Sequence, residues 1–171
     1  MNADRFECAA PPPAGELRVL VVDDDPHTRM LLSETLELRG AAVRASANAH
    51  DAARTFKSWH PRVLISDIGM PVEDGYALIQ RVRADEPEGR HTPAIACTGH
   101  AEAGDRARAL GAGFDALVAK PVDLGLLLDT IAHLTGVRGF ARGGKRAAPD
   151  AAPALPESRD CEGRSRSAPD S

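Results

Sequence analysis

A doubly wound α/β sandwich around a five-stranded parallel sheet is the fold this chain predicts, and three observations predict it. Four short runs are almost wholly apolar: Val19-Leu20-Val21-Val22, Val63-Leu64-Ile65-Ser66, Ala94-Ile95-Ala96-Cys97 and Ala116-Leu117-Val118-Ala119. Runs of that length between helical stretches read as strands buried on both faces, as a parallel sheet demands. Each run ends at or just before a polar residue: the acidic run Asp23-Asp24-Asp25, then Asp67, Thr98, and Lys120 followed by Pro121. From Leu17 onward, strand and helix patterns alternate regularly, giving five βα units.

The elements follow in order. A strand near 17–22 precedes a helix near 26–39, with Pro26 suited to a first helical position and Gly40 to the stop. A short strand at 42–45 leads to a helix near 49–58, for which Asn48 is the expected N-cap. The third strand, 63–66, delivers Asp67 to a loop that ends at Gly75. A helix at 75–84, a loop at 85–92, a strand at 93–98 and an Ala-rich helix near 101–110 come next. The last strand, 115–119, passes through Lys120-Pro121 to a helix at 123–135. In that helix Leu124, Leu127, Leu128, Ile131 and Leu134 share one apolar face, while Leu126 falls off it as a scattered surface leucine.

Composition bounds the rest. With 171 residues the chain can build one domain with a well-buried core, which reads as residues 16–136. Residues 1–15 end in Pro11-Pro12-Pro13-Ala14-Gly15 and read as a disordered leader. Residues 137–171, rich in Ala, Pro, Gly, Ser, Arg and Asp, bury too little surface to offset ordering entropy and read as a disordered tail. A net charge of −4 is too mild to imply a nucleic-acid or membrane partner, despite the basic patch Arg142-Gly143-Gly144-Lys145-Arg146. No run approaches the roughly 20 apolar residues of a membrane span. Cys8, Cys97 and Cys161 lack metal-ligand or disulfide spacing, so the expected compartment is the cytoplasm.

The chemistry lies in the polar residues at the strand ends. In an open parallel sheet, ligands bind outside the carboxyl ends of the strands. Asp67 alone would read as a helix cap or a surface charge. Asp23 and Asp24, however, follow a strand expected to lie beside the Asp67 strand. Three carboxylates at one edge repel one another unless a cation sits between them. An oxygen-only donor set beside a phosphate suits Mg²⁺. The ammonium of Lys120 can pair with Asp67 and then with phosphoryl oxygens, and Thr98 offers a hydroxyl donor to the same oxygens. Together these are the parts of phosphoryl transfer to a carboxylate: a nucleophile, a metal and fixed positive charge.

On Val21-Val22-Asp23-Asp24-Asp25-Pro26, Asp67-Ile68-Gly69-Met70-Pro71 with Asp74-Gly75, Thr98-Gly99 and Lys120-Pro121, the chain resembles the receiver domain of two-component response regulators. The match runs from about Leu17 to about Leu134, and the stretch from Ala112 to Asp123 looks most like receivers associated with hybrid histidine kinases. The resemblance implies that Asp67 accepts a phosphoryl group from a sensor histidine kinase, a histidine phosphotransfer protein or a small donor such as acetyl phosphate. It implies that Asp24, Asp67 and the carbonyl of Gly69 ligate Mg²⁺, with Asp23 assisting through water. Thr98 and the N–H of Gly99 would hold the phosphoryl group, Lys120 would balance charge, and the Lys120–Pro121 bond would be cis. The usual output surface, the fourth helix, fifth strand and fifth helix, would meet a downstream protein. Two positions depart from the pattern. Leu117 stands where many members carry a switch aromatic, which puts the usual aromatic coupling in doubt. Gly69 and His100 occupy the variable positions that flank an attacking water.

Rival readings are weaker. A haloacid dehalogenase-type phosphatase wants a second acid two residues after the nucleophile, where this chain has Gly69. A dinucleotide-binding turn wants glycines where this chain has Asp23-Asp24-Asp25-Pro26. The expectation is therefore a single-domain phosphoacceptor that promotes only its own phosphorylation and dephosphorylation, not a turnover enzyme. The alternatives are a phosphate-shuttle receiver detached from a hybrid kinase, and a scaffold pseudo-receiver that needs no phosphorylation.

Overall fold

A computed structural model describes residues 17–99 and 103–137. Five strands and five helices alternate: β1 (Arg18–Val22), α1 (Pro26–Leu38), β2 (Ala42–Ser46), α2 (Ala49–Trp59), β3 (Val63–Asp67), α3 (Gly75–Asp85), β4 (Ala94–Thr98), α4 (Ala103–Ala112), β5 (Ala116–Ala119) and α5 (Leu124–Thr135). The strands form one parallel sheet in the order β2-β1-β3-β4-β5. The predicted fold class is the observed one. The chain reverses direction across the sheet between β1 and β3, so their carboxyl ends flank the crevice where ligands bind in such folds.

Every residue of β3 and β4 is buried, because helices cover both faces. The two-residue period of a strand then divides the apolar run between two cores. Leu20, Val22, Leu64 and Ala96 face α2, α3 and α4, in a cluster completed by Phe56, Leu78, Ile79 and Phe114. Val19, Val21, Val63, Ile65, Ile95 and Cys97 face α1 and α5, packed by Leu32, Leu36, Leu127, Leu128 and Ile131. Each fully buried Leu, Ile or Val contributes roughly 1.5–3 kcal/mol of hydrophobic stabilisation. Cys97 serves this core as a small apolar group, and burial pushes its thiol up to about 12.

The helix ends follow from local chemistry. Asn48 caps α2 by accepting from Asp51 N–H at 2.8 Å, and its side-chain amide donates to the Asp51 carboxylate at 2.9 Å. Asp74 caps α3 through Ala77 N–H. Asp123 caps α5 through Gly125 and Leu126 N–H, and so stands before the helix and not inside it as the sequence reading had it. The described part of α4 runs to Ala112, two residues past its expected end, while residues 101–102 of its expected start lie outside the described residues. Leu126 is half exposed. Leu117 is partly buried against the α2–α3–α4 core. Val137 packs on the opposite core, just after Gly136 ends α5 with a left-handed φ of 69°. The 1–15 and 138–171 segments and His100 lie outside the described residues.

Candidate functional site

β1 and β3 pair in register, Val22 beside Ser66, so the residues just past them emerge together at the carboxyl edge. Asp23, Asp24 and Asp67 each bring a carboxylate oxygen to within 4.8 Å of the others. Asp23 and Asp67 are buried and Asp24 is exposed. β5 delivers Lys120 to the same place, its Nζ 2.8 Å from Asp67 Oδ2 and 2.9 Å from Asp23 Oδ2. Burial opposes the ammonium charge, but the bonds to Asp67 and Asp23 outweigh it and raise the Lys120 pKa above its ordinary value. The Lys120–Pro121 bond is cis, as expected.

Thr98 ends β4, buried, and its carbonyl accepts from Lys120 N–H at 2.7 Å. Gly99 is exposed next to it. Gly69 N–H donates to Asp67 Oδ1 at 3.1 Å, fixing the carboxylate's rotamer. A Cβ at Gly69 would lie 3.9 Å from that same oxygen, so the approach to the carboxylate is open there. Gly75 has the opposite surroundings. A Cβ on it would run into the Asp67 carbonyl oxygen and Ile68 Cα, so only glycine lets α3 start against β3. Between them, Val72 is fully exposed with a φ of 70°, a strained conformation for a β-branched residue in the loop next to the site.

Two residues at this edge escaped the sequence reading. Asp25, the third acid of the run, belongs to the helix and not to the acidic cluster. Its carboxylate accepts from Thr28 Oγ1 at 2.6 Å, Thr28 N–H at 3.0 Å and His27 N–H at 3.3 Å, and the Thr28 hydroxyl above all lowers its pKa to about 2. Arg29 reaches back from α1 to the carbonyls of Asp23 at 2.6 Å and Asp24 at 3.0 Å, holding the loop that presents both acids. Asp25 followed by Pro26 was a legible N-cap signal. Nothing in the sequence marks an arginine that bonds backbone five and six residues behind it.

The donor set fits a hard divalent cation. It consists of oxygens only, and three carboxylates face a single ammonium. Asp23 Oδ2 is fully buried, and its partner is the Lys120 ammonium at 2.9 Å. Two buried carboxylates that share one ammonium, with a third carboxylate beside them, carry excess negative charge that a further cation would balance. Chemically, the edge offers one carboxylate, Asp67, held by a backbone N–H and an ammonium.

A sheet of this order with acids after β1, an acid ending β3 and a lysine after β5 defines a phosphoacceptor class of signalling module. Residues 19–132 match the model of the response regulator receiver domain, and the chain belongs to that family, the receivers of two-component signalling. A 14.6 kDa uncharacterized protein from the sodA1 3′ region of Leptolyngbya boryana is 46% identical over 108 residues, covering 63% of this chain and 82% of that protein. The sensor histidine kinase RcsC of Escherichia coli K12 is 34% identical over 116 residues, which are 68% of this chain but only 12% of the kinase. Among solved structures, the chemotaxis response regulator CheY4 of Vibrio cholerae aligns with a TM-score of 0.65 at 27% identity, covering 70% of this chain and 98% of that one. Among the described residues no helix is long and apolar enough to cross a membrane.

Proposed function

We propose that Asp67 is the phosphoacceptor of a working receiver, charged by a sensor histidine kinase or a histidine phosphotransfer protein. The observation that carries this reading is the placement of Asp67 within 4.8 Å of Asp23 and Asp24, with Lys120 Nζ 2.8 Å from its carboxylate. An Asp67 carboxylate oxygen attacks the phosphorus of the donor phosphohistidine. The P–N bond breaks, the imidazole leaves with the bonding pair and takes up a proton, and Asp67 becomes an acyl phosphate. Asp24, Asp67 and the Gly69 carbonyl would hold Mg²⁺, with Asp23 behind them, and the ion supplies positive charge for the transferring oxygens. Thr98 hydroxyl and Gly99 N–H hold the phosphoryl group, and Lys120 neutralises it.

Adding that dianion shifts a pre-existing equilibrium and alters the α4–β5–α5 surface shown to a downstream protein. Residues 16–136 form the receiver unit in this reading. The Leptolyngbya boryana relative, 82% of which is matched, supports a receiver acting on its own over one carried inside a kinase. Intact mass after incubation with acetyl phosphate and Mg²⁺ tests the proposal. The parent gains one phosphoryl group, chelation of the metal abolishes the gain, and Asp67→Asn shows none. An unmodified parent that also fails to respond to beryllofluoride with Mg²⁺ would leave only a scaffold.

A further inference from the structure

Among the described residues the edge of the sheet at β2 is open, and β2 pairs with β1 alone. Ala42 N–H donates to Leu17 O, and Asp23 N–H donates to Ser46 O. In a parallel ladder, alternate residues of a strand bond the same neighbour. Ala42, Arg44 and Ser46 therefore turn their backbone groups to β1, and Val43 and Ala45 turn theirs outward. Beside this edge lies a groove of about 580 Å³, with Ala45 and Ala47 on its strand side and Arg54 and Ser58 of α2 opposite.

Natural edges are usually blunted by lysine, proline, a bulge or a covering segment. β2 contains neither lysine nor proline, and exposed Ala45 guards its backbone with only a methyl group. The strand's one charge, Arg44, is drawn aside over the Trp59 ring, 5.0 Å from its centroid. Arg54 lines the same groove and makes no ion pair among the described residues. The groove's one acid, Asp51, is held by the Asn48 amide at 2.9 Å and is outnumbered by the two arginines. The groove thus combines unpaired backbone with a net positive charge.

We propose that β2 accepts an extended, acidic segment of a partner protein as a sixth strand, its carboxylates paired with Arg44 and Arg54. Main-chain bonds to Val43 and Ala45 supply affinity, and alternate side chains supply selection, as in other strand-addition complexes. Arginine–carboxylate pairs suit the charge. A second copy of this chain is disfavoured, because two β2 edges bring Arg44 toward Arg44 and like charges across strands repel. Nucleic acid is disfavoured by a net charge of −4 and a groove with only two arginines. The proposal does not depend on phosphorylation of Asp67.

The full chain is titrated with acetyl-Thr-Val-Glu-Val-Glu-Val-Thr-amide, its Lys-for-Glu counterpart, and two versions N-methylated at the valines or at the glutamates. Trp59, the single tryptophan, reports binding through its emission, and amide exchange is read at Val43 and Ala45. The Glu peptide is expected to change Trp59 emission and to slow exchange at both residues about tenfold or more. Arg54→Glu, an exposed change that leaves the melting temperature alone, weakens binding about tenfold, the scale of one charged hydrogen bond. One N-methylated peptide fails and the other binds, because only alternate amides of an added strand face β2. Equal binding of the Lys peptide, loss or retention of both N-methylated peptides, unchanged exchange, or no binding of the Glu peptide would each overturn the proposal.

Discussion

The two ends of the sheet carry similar charged groups in opposite states of satisfaction. At the amino edge, Arg83 of α3 donates to Gly113 O at 2.7 and 2.9 Å, to Thr92 O at 2.9 Å, to Glu86 at 2.9 Å and to Asp115 at 3.0 Å. The carboxylates are filled from elsewhere too: Glu86 accepts Thr92 N–H at 2.6 Å, and Asp115 accepts Ala94 N–H at 2.8 Å and meets His91 Nε2 at 2.7 Å. At the carboxyl edge, three carboxylates face one ammonium, which is shared between Asp23 and Asp67 and leaves the cluster with excess negative charge. A satisfied network fastens elements together; here it ties α3, β4 and the start of β5. An unsatisfied one stores affinity for what is missing. The first end is structural and the second is chemical, and the contrast can be tested.

The largest expected effect breaks the satisfied end. Arg83→Met leaves Glu86 and Asp115 without their shared cation, which costs about 3 kcal/mol when such groups are mostly buried. The urea midpoint should fall accordingly, while phosphorylation by acetyl phosphate persists below the transition. An unchanged midpoint would mean the network adds nothing that water does not replace.

The opposite sign is expected at the other end. Asp24→Asn removes one of three mutually repelling carboxylates lying within 4.8 Å. Because Asp24 is exposed, the relief is about 1 kcal/mol, the repulsion of two unit charges at that separation in water. The variant should melt higher than the parent without metal. At ten times its Kd, Mg²⁺ should stabilise the parent by about 1.4 kcal/mol and the variant far less. A variant that melts lower, with an intact Mg²⁺ response, would show that Asp24 is no ligand.

The difference between the ends also explains what the sequence disclosed. The carboxyl-edge cluster was legible because its members stand at or just past the ends of nearly apolar runs, and a parallel sheet brings such positions together whatever lies between them. The Arg83 network was not. Its partners lie from 3 to 32 residues away and include the carbonyls of Thr92 and Gly113, which no residue type announces. Each of Arg83, Glu86, His91 and Asp115 reads alone as a solvated surface charge. The strands were legible for the same reason as the site, since burial on both faces removes polar residues from them. The end of α4 was less so. With two glycines among its ten residues and Ala109 as its fully buried side chain, its pattern carries little periodicity. The unpaired edge of β2 was invisible too, since sequence does not say which strand ends a sheet.

Asp25 supplies the finest test, because it adjoins the unsatisfied cluster yet behaves like the satisfied one. Its pKa falls from 3.8 to about 2, the Thr28 hydroxyl contributing most. A depressed carboxylate contributes stability that is present above the unfolded value and is lost as pH falls through the folded one. Asp25→Ala should therefore melt below the parent at neutral pH, and the gap should close between about pH 4 and pH 2. Its Mg²⁺ response should match the parent's, because the carboxylate is turned to the N–H groups of α1 and not to the acids beside it. A gap that persists to pH 2 would assign the loss to something other than the cap. A lost Mg²⁺ response would place Asp25 in the metal cluster after all, and the boundary between the two kinds of charge would then fall after Asp25 instead of after Asp24.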